Sequence, residues 1–133
     1  MTTTLSVAVV LGVALGGATG AVLRLLLDRY VRYGILVANS LGCLFLGFLF
    51  GRFSALTALE AVPESGVFSP GVITVVSYGL IGALSTFATV SLRAAQRWVD
   101  GHRMQAAWIW LVNVACGFLA AGIGLALSGL AAL

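Results

Sequence analysis

The sequence predicts an all-α integral membrane protein built from four transmembrane helices, and three observations carry that prediction. Of its 133 residues, 61% are hydrophobic and 8% charged, whereas a soluble domain carries about 25% charged and about 45–50% apolar residues. Mean hydropathy is +1.12. The apolar residues gather into four runs, each close to the ~20 residues a helix needs to cross a bilayer, and the charges lie almost wholly between the runs.

The first run spans residues 5–27. Met1-Thr2-Thr3-Thr4 carries no positive charge, and the apolar stretch that follows exceeds the about 7–15 residues of a signal-peptide core, so a cleavable signal is not expected. Gly12, Gly16 and Gly20 recur every four residues and share one helix face, a spacing that lets helices approach closely. Arg24, Asp28, Arg29 and Arg32 mark the first connection. The second run spans 35–53, repeats the small-residue spacing at Gly47 and Gly51, and holds Asn39 part-way along. Arg52, Glu60 and Glu64 mark the second connection, where Pro63 and Pro70 break any helix. The third run spans 72–92; Arg93, Arg97, Asp100, His102 and Arg103 follow it. The fourth spans 106–127 and contains Asn113. Tyr30, Tyr33, Trp98, Trp108 and Trp110 fall near run ends, where amphipathic rings favour the headgroup layer. Four spans leave no room for an extramembrane domain, so residues 1–133 are expected to form a single four-helix transmembrane domain.

Several function classes are disfavoured. The net charge of +3 comes from scattered arginines rather than a basic stripe, so nucleic acid is not an expected partner. No phosphate-binding loop, His/Glu pair or nucleophile with an adjacent base points to an enzyme. Cys43 and Cys116 lie within apolar runs and read as small packing residues; His102 reads as a solvated loop side chain. Asp28, Glu60, Glu64 and Asp100 all flank the runs. A proton-coupled exporter needs a titratable group inside the membrane, which weighs against a small-multidrug-type secondary transporter, the alternative from another class.

The third run is unusual. Gly79 to Ser91 places Gly79 and Gly82, then Ser85, Thr86, Thr89 and Ser91, at membrane depth. Either the helix stays intact and its hydroxyls bond back to their own carbonyls, or it breaks near Gly82–Ser85 and frees carbonyl oxygens suited to a hard cation. Asn39 and Asn113 have a similar pair of readings, as helix-to-helix glue or as amides facing an anion.

The arginines also bear on orientation. Connections one and three share a side and hold Arg24, Arg29, Arg32, Arg93, Arg97 and Arg103, against Arg52 alone in connection two. The positive-inside rule puts the six in the cytoplasm and both termini outside a cell inner (plasma) membrane, in one fixed orientation.

Gly16-Gly17-Ala18-Thr19-Gly20-Ala21 followed by Arg24, then Gly34-Ile35-Leu36-Val37-Ala38-Asn39-Ser40-Leu41-Gly42, then Gly79 to Ser91, resemble in order the first-, second- and third-helix signatures of the Fluc fluoride channels, also called CrcB. The resemblance covers essentially the whole chain. It implies a passive, fluoride-selective channel that relieves fluoride toxicity. Assembly would be an antiparallel dimer, with a break in each third helix and a structural sodium ion held between subunits by backbone carbonyls. Carried over by position, Asn39, Thr86, Phe87 and Asn113 would line the fluoride pore, Gly82 and Ser85 would supply the sodium-binding carbonyls, and Arg24, Gly16 and Gly20 would be structural. The chain departs from the pattern at Val90 (usually Phe), Ile35 (Thr), Arg93 (Glu) and Gly117 (often Ser). An antiparallel homodimer needs one sequence that inserts both ways, and six arginines against one oppose that. The expectation is therefore a heterodimer with an oppositely oriented Fluc-like subunit. A homodimeric channel and a non-conducting structural subunit are the other readings.

Overall fold

The computed structural model describes residues 6–130, and its regular structure is helical throughout. Four helical stretches are long and apolar enough to cross a membrane: Val7–Tyr30, Gly34–Ala58, Pro70–Val99 and Arg103–Gly129.

Helix α1 (Val7–Tyr30) is capped by Ser6, whose hydroxyl accepts from Val9 N–H at 3.3 Å. The expected start at Leu5 lies outside the described residues. The helix runs three residues past Leu27, so Arg24, Asp28 and Arg29 are helical rather than loop residues. Helix propensity does not stop where hydrophobicity does, since Arg is a good helix former. After Val31–Tyr33 the chain reverses directly into α2 (Gly34–Ala58). A Cβ on Gly34 would strike the Leu27 backbone carbonyl, so the reversal requires glycine there.

Helix α2 likewise outlasts its apolar run and takes in Arg52. It ends in a Schellman motif: Ala61 N–H bonds Leu56 O at 2.9 Å and Glu60 N–H bonds Thr57 O at 3.1 Å, with Glu60 in the left-handed region at φ 53°.

The third span is not one helix. Pro70 opens it at the first turn of α3 (Pro70–Thr74) instead of breaking it, as its fixed φ and missing N–H allow. A π-helical segment, Val75–Ile81, and a short turn α4 (Gly82–Leu84) follow. Ser85 (φ −83°, ψ 137°) and Thr86 (φ −146°, ψ 113°) are extended, and α5 (Phe87–Val99) resumes the span. The break therefore lies at Ser85–Thr86, past Gly82, which is itself helical. Gly101, at φ 83°, turns the chain into α6 (Arg103–Leu130).

Two close pairings organise the bundle. Helix α1 lies on the π-helical segment and α4: a Cβ on Gly16 would sit 3.2 Å from Leu80 N and 3.3 Å from Val75 O, and one on Gly20 would run into Leu80 O. Helix α2 lies on α6, where Gly47 meets Ala121 and Gly124 meets Leu44, backbone against backbone. Such contacts replace hydrophobic driving force, which hydrocarbon cannot supply between helices. The core is small, comprising Ile35, Ala38, Ile81, Leu84, Val90, Ala94 and Ala106. Leu15, Phe50, Phe118 and Leu119 remain exposed, as suits surfaces covered by lipid.

Candidate functional site

The site forms where α2, the break in the third span, and α6 meet. Asn39 is 8% exposed, on the buried face of α2. Its Oδ1 accepts Thr86 N–H at 2.7 Å, and its Nδ2 donates to Thr86 O at 3.4 Å and to Asn113 Oδ1 at 3.3 Å. Asn113 in turn donates to Ile109 O at 2.9 Å. One carboxamide thus satisfies both backbone groups of Thr86, as a neighbouring strand would, and the extended pair survives in an apolar setting because of it.

Two carbonyls lose their usual helical donors through this arrangement. In an unbroken helix Thr86 N–H would bond Gly82 O, but it is held by Asn39. Thr89 N–H would bond Ser85 O, but it is held by Thr86 Oγ1 at 3.3 Å, the hydroxyl acting as N-cap of α5. Gly82 is exposed and Ser85 half-buried. Among the described residues no cluster of His, Cys, Asp or Glu could hold a metal, so oxygens of this kind are the cation-binding chemistry available here.

Phe87 begins α5, 63% exposed, with its ring 5.2 Å from that of Trp110 at an interplanar angle of 86°. This edge-to-face geometry sets the tilt of the Phe87 ring. A groove of about 300 Å³ runs past Asn39, Cys43, Ser85, Phe87, Val90, Asn113 and Gly117. Beside it lies a vestibule of about 980 Å³, reached by Arg32, Ile35, Val90, Arg93, Arg97 and Asn113. Val90 and Asn113 line both. Because residues of connections one and three line one vestibule, those connections occupy the same end of the bundle.

Among the residues singled out from sequence, Asn39, Ser85, Thr86, Phe87 and Asn113 are gathered at the break, and Gly82 stands one turn before it. Arg24 is half-buried in α1, while Gly16 and Gly20 lie at the α1 contact and not in the groove. Three participants had no sequence signal for their roles. Trp110, read as an interfacial ring, packs on Phe87. Cys43, read as packing, lines the groove. Arg93 donates through Nη2 to both oxygens of Asp28, at 2.7 and 2.6 Å.

The family described as CrcB-like protein, Camphor Resistance (CrcB), matches residues 11–125. The chain belongs to the CrcB family. A relative from Frankia casuarinae, named fluoride-specific ion channel FluC 1, is 36% identical over 121 residues, 85% of this chain and 90% of the relative. FluC of Pseudoalteromonas translucida is 33% identical over 123 residues, covering 86% and 95%. FluC 2 of Mycobacterium bovis is 34% identical over 130 residues, covering 92% of each. These CrcB relatives are named as ion channels, not enzymes. The matched region takes in the second and third spans whole, most of the first and fourth, the asparagine clasp and the break.

Proposed function

We propose that this chain is one subunit of a passive fluoride-selective channel in the cell inner membrane, paired with an oppositely oriented homologous subunit. The observation that carries the reading is the broken third span clasped by Asn39, with Phe87 uncovered beside it. A fluoride ion moving along the groove would meet the Asn39 and Asn113 amides and the electropositive edge of the Phe87 ring, which replace part of its hydration without a fixed positive charge. Fluoride-specific names across relatives that cover most of the chain favour fluoride as the ion. With Asp28, Glu60, Glu64 and Asp100 all away from mid-span, nothing supplies a proton couple, so flux follows the fluoride gradient.

The residues at the break fit a sodium ion. The Gly82 and Ser85 carbonyls are hard oxygen donors whose helical partners have been diverted. Two oxygens fall short of a full shell for such a cation, and Gly82 is exposed on the surface of the chain. An antiparallel partner presenting the same pair would complete the shell and cover the exposed backbone. When bound, the ion would join the two subunits electrostatically. Arg24, Gly16 and Gly20 are assigned structural roles, the glycines by admitting the third span to close contact with α1.

The heteromeric assignment rests on charge. Six arginines at one end against one at the other specify a single insertion, so the antiparallel partner must be a chain of opposite bias. Relatives numbered FluC 1 and FluC 2 fit a two-subunit system. Val90 and Ile35 add two aliphatic side chains at the vestibule wall, which would impair the pore that this chain lines. The test is fluoride efflux from liposomes, with chloride as the control anion. The chain alone is expected to give little efflux, and co-expression with a homologue of opposite bias to give fast, fluoride-selective efflux. Fast efflux from the chain alone would overturn the heteromeric assignment. No fluoride efflux from either preparation would overturn the channel reading.

A further inference from the structure

We propose that a crevice between α5 and α6, at the arginine-rich end of the bundle, is a binding site for an anionic phospholipid. One acyl chain lies between Trp98 and Trp110, and the headgroup phosphate sits on Arg103.

Ser91, Ala94, Ala95 and Trp98 of α5 face Ala106, Ala107 and Trp110 of α6 across a space of about 350 Å³. It is distinct from the vestibule, which takes Arg93, Gln96, Arg97 and Asp100 from α5 and its C-cap; among the described residues Ala95 alone lines both. The crevice has a shallow end and a deep end. Trp98 stands in the last turn of α5 and Arg103 opens α6, so both lie at headgroup level. Ser91 and Trp110 are two turns further in along their helices, about 10 Å deeper. Between the two indoles the four alanines carry nothing beyond Cβ. A flexible methylene chain can lie against this trough and touch both rings, gaining many small dispersion contacts.

The mouth selects the headgroup. The Arg103 guanidinium stands 5.4 Å from the Trp98 ring centroid, which holds the cation over the crevice wall. Among the described residues no carboxylate pairs with it, and Asp100 lines the vestibule instead. A guanidinium meets phosphate oxygens as a two-pronged donor, and basic pockets between transmembrane helices on the cytoplasmic side take anionic headgroups in this way. The N-terminal end of α6 adds partial positive charge at the same level. A zwitterionic lipid offers the same phosphate but brings a cation beside Arg103, so the net-negative lipid is favoured. At the deep end, Trp110 is the ring that meets Phe87 edge to face at 5.2 Å. A chain lying on Trp110 therefore shares that ring with Phe87, although the lipid site does not rest on the channel reading.

The test uses the indoles themselves. Trp108, which does not line the crevice, is changed to phenylalanine, leaving Trp98 and Trp110 as the emitters. The full-length chain is placed in phosphatidylcholine nanodiscs. Fluorescence quenching is followed as chain-brominated phosphatidylglycerol, or chain-brominated phosphatidylcholine, replaces part of the host lipid. The anionic lipid is expected to quench at about fivefold lower mole fraction. Arg103→Gln should bring the two lipids to parity, whereas Arg29→Gln, at an exposed arginine of the same end outside the crevice, should leave the preference in place. Ala107→Phe fills the crevice from an exposed position and should also remove the preference, which gives a second test should Arg103→Gln disturb the fold. Equal quenching by the two lipids, the mark of annular lipid only, would overturn the proposal. So would a preference that survives both Arg103→Gln and Ala107→Phe, or one that Arg29→Gln removes as fully. Inorganic phosphate at matched ionic strength should leave the quenching unchanged; displacement by it would overturn the lipid as occupant. Quenching needs no conduction, so absent fluoride flux would count against the channel reading alone.

Discussion

Replacing Asn39 with alanine removes the acceptor of a 2.7 Å bond from Thr86 N–H and the donor to both Thr86 O and Asn113 Oδ1. The loss is asymmetric. The contacts from Nδ2 are long, at 3.4 and 3.3 Å, and within a membrane such side-chain bonds average about 0.6 kcal/mol. The Thr86 N–H is different, because the break gives it no helical acceptor and leaving a buried donor unmade costs about 1–3 kcal/mol. The expected destabilisation for Asn39→Ala is thus about 2 kcal/mol, or about thirtyfold in the unfolding equilibrium. Asn113→Ala loses one bond of 3.3 Å and one back to its own helix at 2.9 Å, so it should cost below about 1 kcal/mol. Reversible unfolding in mixed micelles measures both. If the two substitutions cost the same, or if Asn39→Ala costs under about 0.5 kcal/mol, the claim that Asn39 holds the break open is wrong.

Other expectations follow from single contacts. Gly20→Ala drives a methyl into the Leu80 backbone and should cost about 1–3 kcal/mol, whereas Gly17→Ala meets nothing within 4 Å and should be close to neutral by the same unfolding assay. Asp28→Asn should cost under about 1 kcal/mol, because the Asp28 and Arg93 side chains are 28% and 45% exposed and water screens them. On the channel reading, Phe87→Leu in the assembled channel should lower fluoride efflux more than tenfold, while Trp110→Leu, which only releases the ring from its edge-to-face contact, should lower it less. On the proposed antiparallel assembly with sodium at its centre, replacing sodium by a bulky organic cation throughout purification should dissociate the subunits, read by sedimentation; an unchanged assembly would count against the carbonyl site.

The four spans could be read in the sequence because length and hydropathy are local properties that lipid enforces on every crossing. Their ends could not, since Asp28, Arg52 and Arg97 are good enough helix formers, or close enough to the headgroup layer, to remain helical. The composition of Gly79–Ser91 left an intact helix and a break near Gly82–Ser85 equally open, and the family resemblance implied the break. Its position at Ser85–Thr86 is decided by Asn39, 47 residues away, competing for one N–H. The Asp28–Arg93 pair joins residues 65 apart, and the Phe87–Trp110 contact likewise depends on how α5 settles on α6. No spacing rule reaches that far. The motif residues came together as a group through their resemblance to the family's helix signatures, since from the residues alone Asn39 and Asn113 read equally as helix-to-helix glue.

The two-residue interruption at Ser85–Thr86 also has an electrical meaning. Peptide dipoles within a continuous helix cancel internally and leave partial charges only at its ends. Cutting the third span creates two more ends at membrane depth, a carbonyl end at Gly82–Leu84 and an N–H end at the start of α5. The first is partially negative and the second partially positive, and only Ser85 and Thr86 separate them. A membrane interior that rejects every ion thereby acquires adjoining places of opposite electrostatic preference, one suited to a cation and one to an anion, with no ionised side chain at either.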